Sequence, residues 1–190
     1  FGVEKKLKYN NIPTFHYVAP SVWAWRKGRV FDIKKNVDHL FLVFPHETSI
    51  FKQAKVPITF VGHPLANKIP LIPSLKNSRE KLRLDKNKTI IALLPGSRSS
   101  EIKHHFELMI NTAILINKEL ALRKLKQADF LVPINSKVNY FFMTNLLNFY
   151  TNKIKNINII IGHSHDTICS SNIVIAGSGT ATLEAALYKK

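Results

Sequence analysis

Short, unbroken apolar runs recur along the chain, and between them lie longer stretches in which apolar residues return every three or four positions. The runs are too brief for helices and show no polar alternation, so each reads as a strand covered on both faces. On that basis strands are predicted at residues 14–18, 39–43, 58–61, 90–94, 130–132, 157–161 and 173–176. Helices are predicted near residues 27–37, 47–54, 78–84, 100–123, 138–150 and 181–187. Strands alternating with helices imply an α/β fold built on parallel sheets.

The alternation lapses once. Between Pro64 and Lys88 the chain carries Pro64, Pro70 and Pro73 among Asn, Ser and Lys residues. Proline fixes the backbone and removes a donor, so residues 64–88 are expected to be a linker with only a short helix in it. Residues 1–63 then form the later part of one α/β domain, and residues 89–190 begin a second. The chain opens without methionine and reaches Lys190 while an apolar helix is still running, which reads as the middle of a longer polypeptide.

Composition narrows the classes further. With 190 residues, 45% of them hydrophobic, the chain can bury a real core. The single cysteine, Cys169, cannot form an internal disulfide, and no Cys/His grouping has zinc-site spacing, which fits a reducing compartment. No apolar run approaches the roughly 20 residues that span a bilayer, and the first residues lack the order of a signal peptide. The net charge of +16 points to an anionic partner, although lysines scattered among many Asn and Ile residues also fit a nucleotide bias of the genome. Neither a recognition-helix motif nor an aromatic nucleic-acid platform is present, so no nucleic acid is expected as partner.

Candidate chemistry concentrates at two corners. Ile90-Ile91-Ala92-Leu93-Leu94 runs through Pro95-Gly96-Ser97-Arg98 into a helix, and Ile173-Val174-Ile175-Ala176 runs through Gly177-Ser178-Gly179-Thr180 into another. Helix N-termini present unpaired amides and partial positive charge, so both corners suit a phosphate, and Arg98 adds a cationic fork. Each corner is also an ordinary turn followed by an ordinary helix start. Two of them in one half of the chain point to a nucleotide. Thr182 stands where a dinucleotide fingerprint has its third glycine and no Walker lysine follows, which disfavours redox cofactors and ATPase chemistry. Glu184, four residues after Thr180, shares its helical face and can accept hydrogen bonds from a ribose diol, or is a solvated glutamate. His63 ends the last strand of the first domain, where an imidazole can bind phosphate or substrate hydroxyls. Trp23 and Trp25 read as packing residues more than as ligand platforms. The pairs His104/His105 and His163/His165 lack a third ligand, so no metal site is expected.

Taken together, residues 16–26 (His16-Tyr17-Val18-Ala19-Pro20-Ser21-Val22-Trp23-Ala24-Trp25-Arg26), Phe60-Val61-Gly62-His63-Pro64, residues 93–101 and residues 177–184 closely resemble the lipid-A-disaccharide synthase family, in its order and over essentially the whole chain. The resemblance implies a glycosyltransferase of the GT-B type, with two Rossmann-like domains and parallel sheets, both truncated in this chain. It implies inverting transfer of 2,3-diacylglucosamine from UDP-2,3-diacylglucosamine to 2,3-diacylglucosamine 1-phosphate (lipid X), with no cofactor or metal. The setting it implies is the anionic cytoplasmic face of the inner membrane of a Gram-negative bacterium, with the protein peripheral. Gly96, Ser97 and Arg98 map onto diphosphate recognition, Gly177, Ser178, Gly179 and Thr180 onto the rest of the cradle, and Glu184 onto the ribose. The family's glycine-rich loop and acidic general base would lie before Phe1, so no catalytic base is expected here. Alternatives are another UDP-sugar enzyme of this architecture, of the peptidoglycan-precursor transferase or UDP-N-acetylglucosamine epimerase type, and an inactive fragment.

Overall fold

A computed structural model describes residues 2–22, 24, 26, 28–135 and 137–190, without the side chain of Val138. The expected packing role of Trp23 and Trp25 lies outside the described residues. The chain divides into two compact units, Phe1–Lys68 and Ile69–Lys190.

The first unit contains α1 (Gly2–Tyr9), β1 (Phe15–Tyr17), α2 (Arg29–Asn36), β2 (His39–Leu42), α3 (Glu47–Gln53), β3 (Ile58–Phe60) and α4 (Leu65–Lys68). Its three strands pair in parallel in the order β1-β2-β3. Leu40 and Leu42 point from the central strand into a core completed by Ile33, Val37, Phe51 and Val56. At the amino ends of the strands, the Asp38 carboxylate accepts from the Thr14 amide at 2.9 Å and pairs with Lys8. Thr14 in turn donates its hydroxyl to the Asn36 carbonyl at 2.9 Å, so the residue before β1 is tied to the end of α2 and to the start of β2.

The second unit runs α5 (Leu75–Lys81), β4 (Ile90–Leu94), α6 (Ser99–Leu122), β5 (Asp129–Ile134), α7 (Lys137–Asn148), β6 (Ile157–Ile161), α8 (Ser164–Ser170), β7 (Ile173–Ala176) and α9 (Thr180–Leu187). All pairings are parallel and the strand order is β6-β5-β4-β7. The chain therefore builds outward from β4 to β6, then crosses back and adds β7 on the other side of β4. Every residue of β4 is buried, as an apolar strand with a neighbour on each side and helices over both faces must be. Helix α6 lays Ile102, Phe106, Met109, Ile110 and Ala113 on this sheet, each at helical spacing. It stops in a left-handed Lys124, with the Leu125 amide bonded to Leu120 and the Lys124 amide to Ala121, the pairing that closes a helix end.

Two expectations differ from this structure. Residues 75–88, read from sequence as part of a linker, are built into the second unit by Arg79, which is only 3% exposed. Its guanidinium donates to the carbonyls of Ser170 (3.0 Å) and Lys86 (2.7 Å) and to the Asn172 side-chain oxygen (2.8 Å). That same oxygen accepts from the Ile90 amide at 2.9 Å, so one arginine joins α5, the segment before β4 and the end of α8. Helices α1, α4 and α8 were not anticipated. Among the described residues, no helix is long and apolar enough to cross a membrane.

Candidate functional site

The strand order of the second unit reverses at β4, so the connections after β4 and β7 leave toward opposite faces and open a crevice at their carboxyl ends. Open parallel sheets hold ligands at such a switch point. Ladder pairing of Leu94 with Ala176 sets the two corners side by side, and the Gly177 amide continues the ladder to the Leu94 carbonyl at 2.9 Å. The result is a cavity of about 330 Å³. Gly96, Ser97 and Arg98 line it from one side, and Gly177, Ser178, Gly179, Thr180 and Glu184 from the other, so all eight residues singled out in this unit meet at one place.

The β4–α6 corner is set by glycine and closed by a carboxylate. Gly96 has φ +119°, and a Cβ there would stand 2.5 Å from Glu101 Oε2 and 2.6 Å from Glu101 Cβ. Glu101, at the third position of α6, reaches back so that Oε2 accepts from the amides of Ser97 (3.0 Å) and Arg98 (3.2 Å). Its Oε1 accepts from the Arg98 guanidinium at 2.6 Å. The Arg98 amide, its guanidinium and the Ser97 amide hold the Glu101 carboxyl below the ordinary glutamate range. The expectation of free loop amides at this corner is thus corrected: they are occupied by the chain's own anion. The reason is reach, because a glutamate at the third helical position is long enough to return to amides before the first. Arg98 itself begins the helix in an extended conformation, and its side chain is 79% exposed.

The β7–α9 corner is open. Gly179 precedes α9 with φ +152° and ψ −158°, a conformation nearly restricted to glycine, and no side chain caps the helix. Nothing lies within 4 Å of the Cβ position there. Thr182, at the third helical position, donates its hydroxyl to the Gly179 carbonyl at 2.6 Å and leaves the amides alone. Glu184 is half-buried in the cavity wall, with His165 Nε2 3.9 Å from its Oε2.

Sequence reasoning missed two residues of this site besides Glu101. His105, one turn further along α6, places Nδ1 2.9 Å from the Pro95 carbonyl, which fixes the hydrogen on that nitrogen. The same ring atom is 3.2 Å from where a Gly177 Cβ would stand, so the imidazole is wedged between the two corners. Asn139 on α7, 7% exposed, accepts from the Ser99 hydroxyl at 2.9 Å and steadies the start of α6. The i, i+4 spacing of Glu101 and His105 was the available signal for a shared helical face.

His63 lies in the first unit. Its Nδ1 accepts from the Leu65 amide at 3.2 Å, and its ring leans on Phe44 with centroids 5.6 Å apart. Among the described residues no three His, Cys, Asp or Glu side chains are grouped as a metal site.

A parallel α/β unit with a cavity at its switch point, in a chain that also carries a second parallel α/β unit, belongs to the Rossmann-like class of folds. The chain belongs to the lipid-A-disaccharide synthetase family, whose model matches residues 1–190. It is 42% identical over 192 residues to the lipid-A-disaccharide synthase of Methylobacillus flagellatus, covering 100% of this chain and 49% of that protein. With the lipid-A-disaccharide synthase of Chromobacterium violaceum it shares 40% identity over 189 residues, 100% of this chain and 48% of that protein. The chain therefore spans about half the length of these curated relatives. It is also similar to a crystal structure of a glycosyltransferase from Rickettsia africae ESF-5, with 15% identity and a TM-score of 0.48, over 99% of this chain and 59% of that one.

Proposed function

We propose that this chain is the central segment of a lipid-A-disaccharide synthase of the GT-B type. Its second unit holds the UDP of UDP-2,3-diacylglucosamine, and its first unit belongs to the acceptor side, where lipid X is bound. The observation that carries the reading is the meeting of two strand-to-helix corners, residues 95–98 and 177–180, on one cavity.

The chemistry follows from charge. The 6-hydroxyl of the acceptor attacks the anomeric carbon from the face opposite UDP, the bond from that carbon to the β-phosphate oxygen breaks, and the configuration inverts. The hydroxyl proton goes to a base that the family resemblance places before Phe1. Departing UDP gains negative charge on its β-phosphate, and loop amides with Arg98 stabilise that charge more in the transition state than in the ground state. Glu184 takes the ribose hydroxyls. The net charge of +16 suits phosphorylated lipid and a peripheral position on an anionic inner-membrane surface, where each Lys or Arg near the surface contributes about 1 kcal/mol.

Calorimetric titration of the 190-residue chain with UDP tests the site. Saturable one-to-one binding, displaced by pyrophosphate, is expected; absence of heat and of displacement at millimolar UDP would overturn the nucleotide-sugar reading. The reaction is tested in a chimaera that takes the remaining half from the Methylobacillus flagellatus relative. Disaccharide formation from UDP-2,3-diacylglucosamine and lipid X is expected, and its absence in a folded, UDP-binding chimaera would refute the assigned substrates.

A further inference from the structure

The acid at the β4–α6 corner is placed as a ligand's phosphate would be. Three donors converge on the Glu101 carboxylate: the Ser97 amide, the Arg98 amide and the Arg98 guanidinium. A carboxylate that merely capped α6 would need only the amides. This one also draws in the cation that the proposed function gives to the diphosphate. Resting on that reading, we propose that Glu101 is an internal substitute for the ligand's phosphate, which shapes the empty corner and yields its donors when a diphosphate enters.

Three features of the site support an exchange over a fixed cap. The donors cannot serve both anions, since a phosphate within hydrogen-bond distance of the same two amides would lie against the carboxylate with like charge and no water between. The pair can also separate into solvent: the Glu101 side chain is 32% exposed and that of Arg98 is 79% exposed, so the carboxylate and the guanidinium both have an open path away from each other. Finally, the neighbouring corner lacks any such group. No side chain caps α9 and the space at Gly179 is open, so an entering diphosphate can engage that corner first without displacing anything. The exchange swaps one ionised group for another, because its donors keep the free carboxyl ionised at neutral pH.

The test uses UDP, the 190-residue chain and its Glu101→Gln variant, with calorimetry and with NMR titration of the Glu101 carboxyl carbon. Glutamine keeps an acceptor for the helix start but removes the competing charge, so UDP is expected to bind E101Q about threefold to tenfold more tightly. In the parent chain without UDP the Glu101 carboxyl should titrate below the ordinary glutamate range, and its titration should move upward under saturating UDP, having exchanged donors for a phosphate neighbour. The parent-chain titration reads the exchange even if the variant folds poorly. If UDP binds but the parent-chain titration does not move, or a folded E101Q binds UDP no more tightly, Glu101 is a fixed helix cap and the nucleotide-sugar reading stands. If UDP does not bind the parent chain, that reading falls and the exchange falls with it.

Discussion

The corners after β4 and β7 look alike as sequence, yet they are chemically opposite. Each follows an apolar parallel strand, turns on glycine and serine, and enters a helix at the same end of the same sheet. The first has its amides and its arginine taken up by Glu101, while the second presents uncapped amides to the cavity. The difference comes down to the third residue of each helix. Glu101 is long and acidic and turns back onto the loop; Thr182 is short and donates to a carbonyl, which leaves the positive end of α9 exposed. Two helix starts can therefore share a fold position and differ in whether they wait for an anion or already hold one. His105 touches both and makes them one unit.

The largest expected effect separates their glycines. Gly96→Ala combines a left-handed backbone with a clash against Glu101, and is expected to lower unfolding stability by about 3 kcal/mol in urea titration. Gly179→Ala meets open space and carries backbone strain alone, about 1.5 kcal/mol. Gly177→Ala, whose Cβ would press on the His105 ring at 3.2 Å, should cost less than 1 kcal/mol, roughly what a modest shift of one side chain demands. Equal losses at Gly96 and Gly179 would mean that Glu101 does not pack over the first corner.

Next in size are the binding effects. Arg98→Ala is expected to weaken UDP about thirtyfold, since it removes a charge-assisted contact to phosphate, while leaving stability nearly unchanged because the exposed Arg98–Glu101 pair contributes little. Unchanged affinity would take Arg98 out of the diphosphate site. Glu184→Ala is expected to weaken UDP about tenfold but leave pyrophosphate competition unaltered, because only the ribose contact is lost. Parallel losses for both ligands would assign Glu184 to shaping the β7–α9 corner.

What could be read from the sequence was what rested on continuous apolar runs. Strands 90–94, 157–161 and 173–176 have the bounds their sequence predicts, since each is dominated by Ile, Val, Leu and Ala, with Asn158 the one polar residue, and is ended by Pro, Gly or both. Helix α1 is only eight residues long and carries no buried residue, so nothing in its sequence marks it as part of a core. Helix α8 buries Thr167 and Ser170 alongside Ile168 and Cys169, with the Ser170 hydroxyl bonded to the Thr167 carbonyl, so its inward face does not look apolar. The prolines between Pro64 and Lys88 suggested a linker, and a basic residue, Arg79, carried no sign of being buried; its partners are carbonyls and an amide oxygen that only the fold assembles. That eight of the residues lining the cavity would lie at such corners was legible because strand-to-helix corners at a parallel sheet's carboxyl edge are a local pattern. That Glu101 fills one of them depends on a side chain folding backward, which strand and helix periodicity do not encode.

The smallest expected effect concerns acid, and it divides the corners most cleanly. In the folded chain the Arg98 amide, the Arg98 guanidinium and the Ser97 amide lower the Glu101 value, whereas an unfolded glutamate titrates near about pH 4.3. A lowered folded-state value means that the unfolded chain binds the proton more readily. The contribution of Glu101 is therefore complete above about pH 4.3 and disappears as pH falls through the lower folded-state value. Amide resonances of Ser97 and Arg98 should accordingly shift together in that acid range as their acceptor is protonated. Those of Gly179 and Thr180, which face no carboxylate cap, should stay in place. Glu101→Gln should abolish the acid shift at the first corner and leave the second unchanged. A shift that survives in this variant would show that another acid controls the β4–α6 corner, and the contrast between the two corners would no longer rest on Glu101.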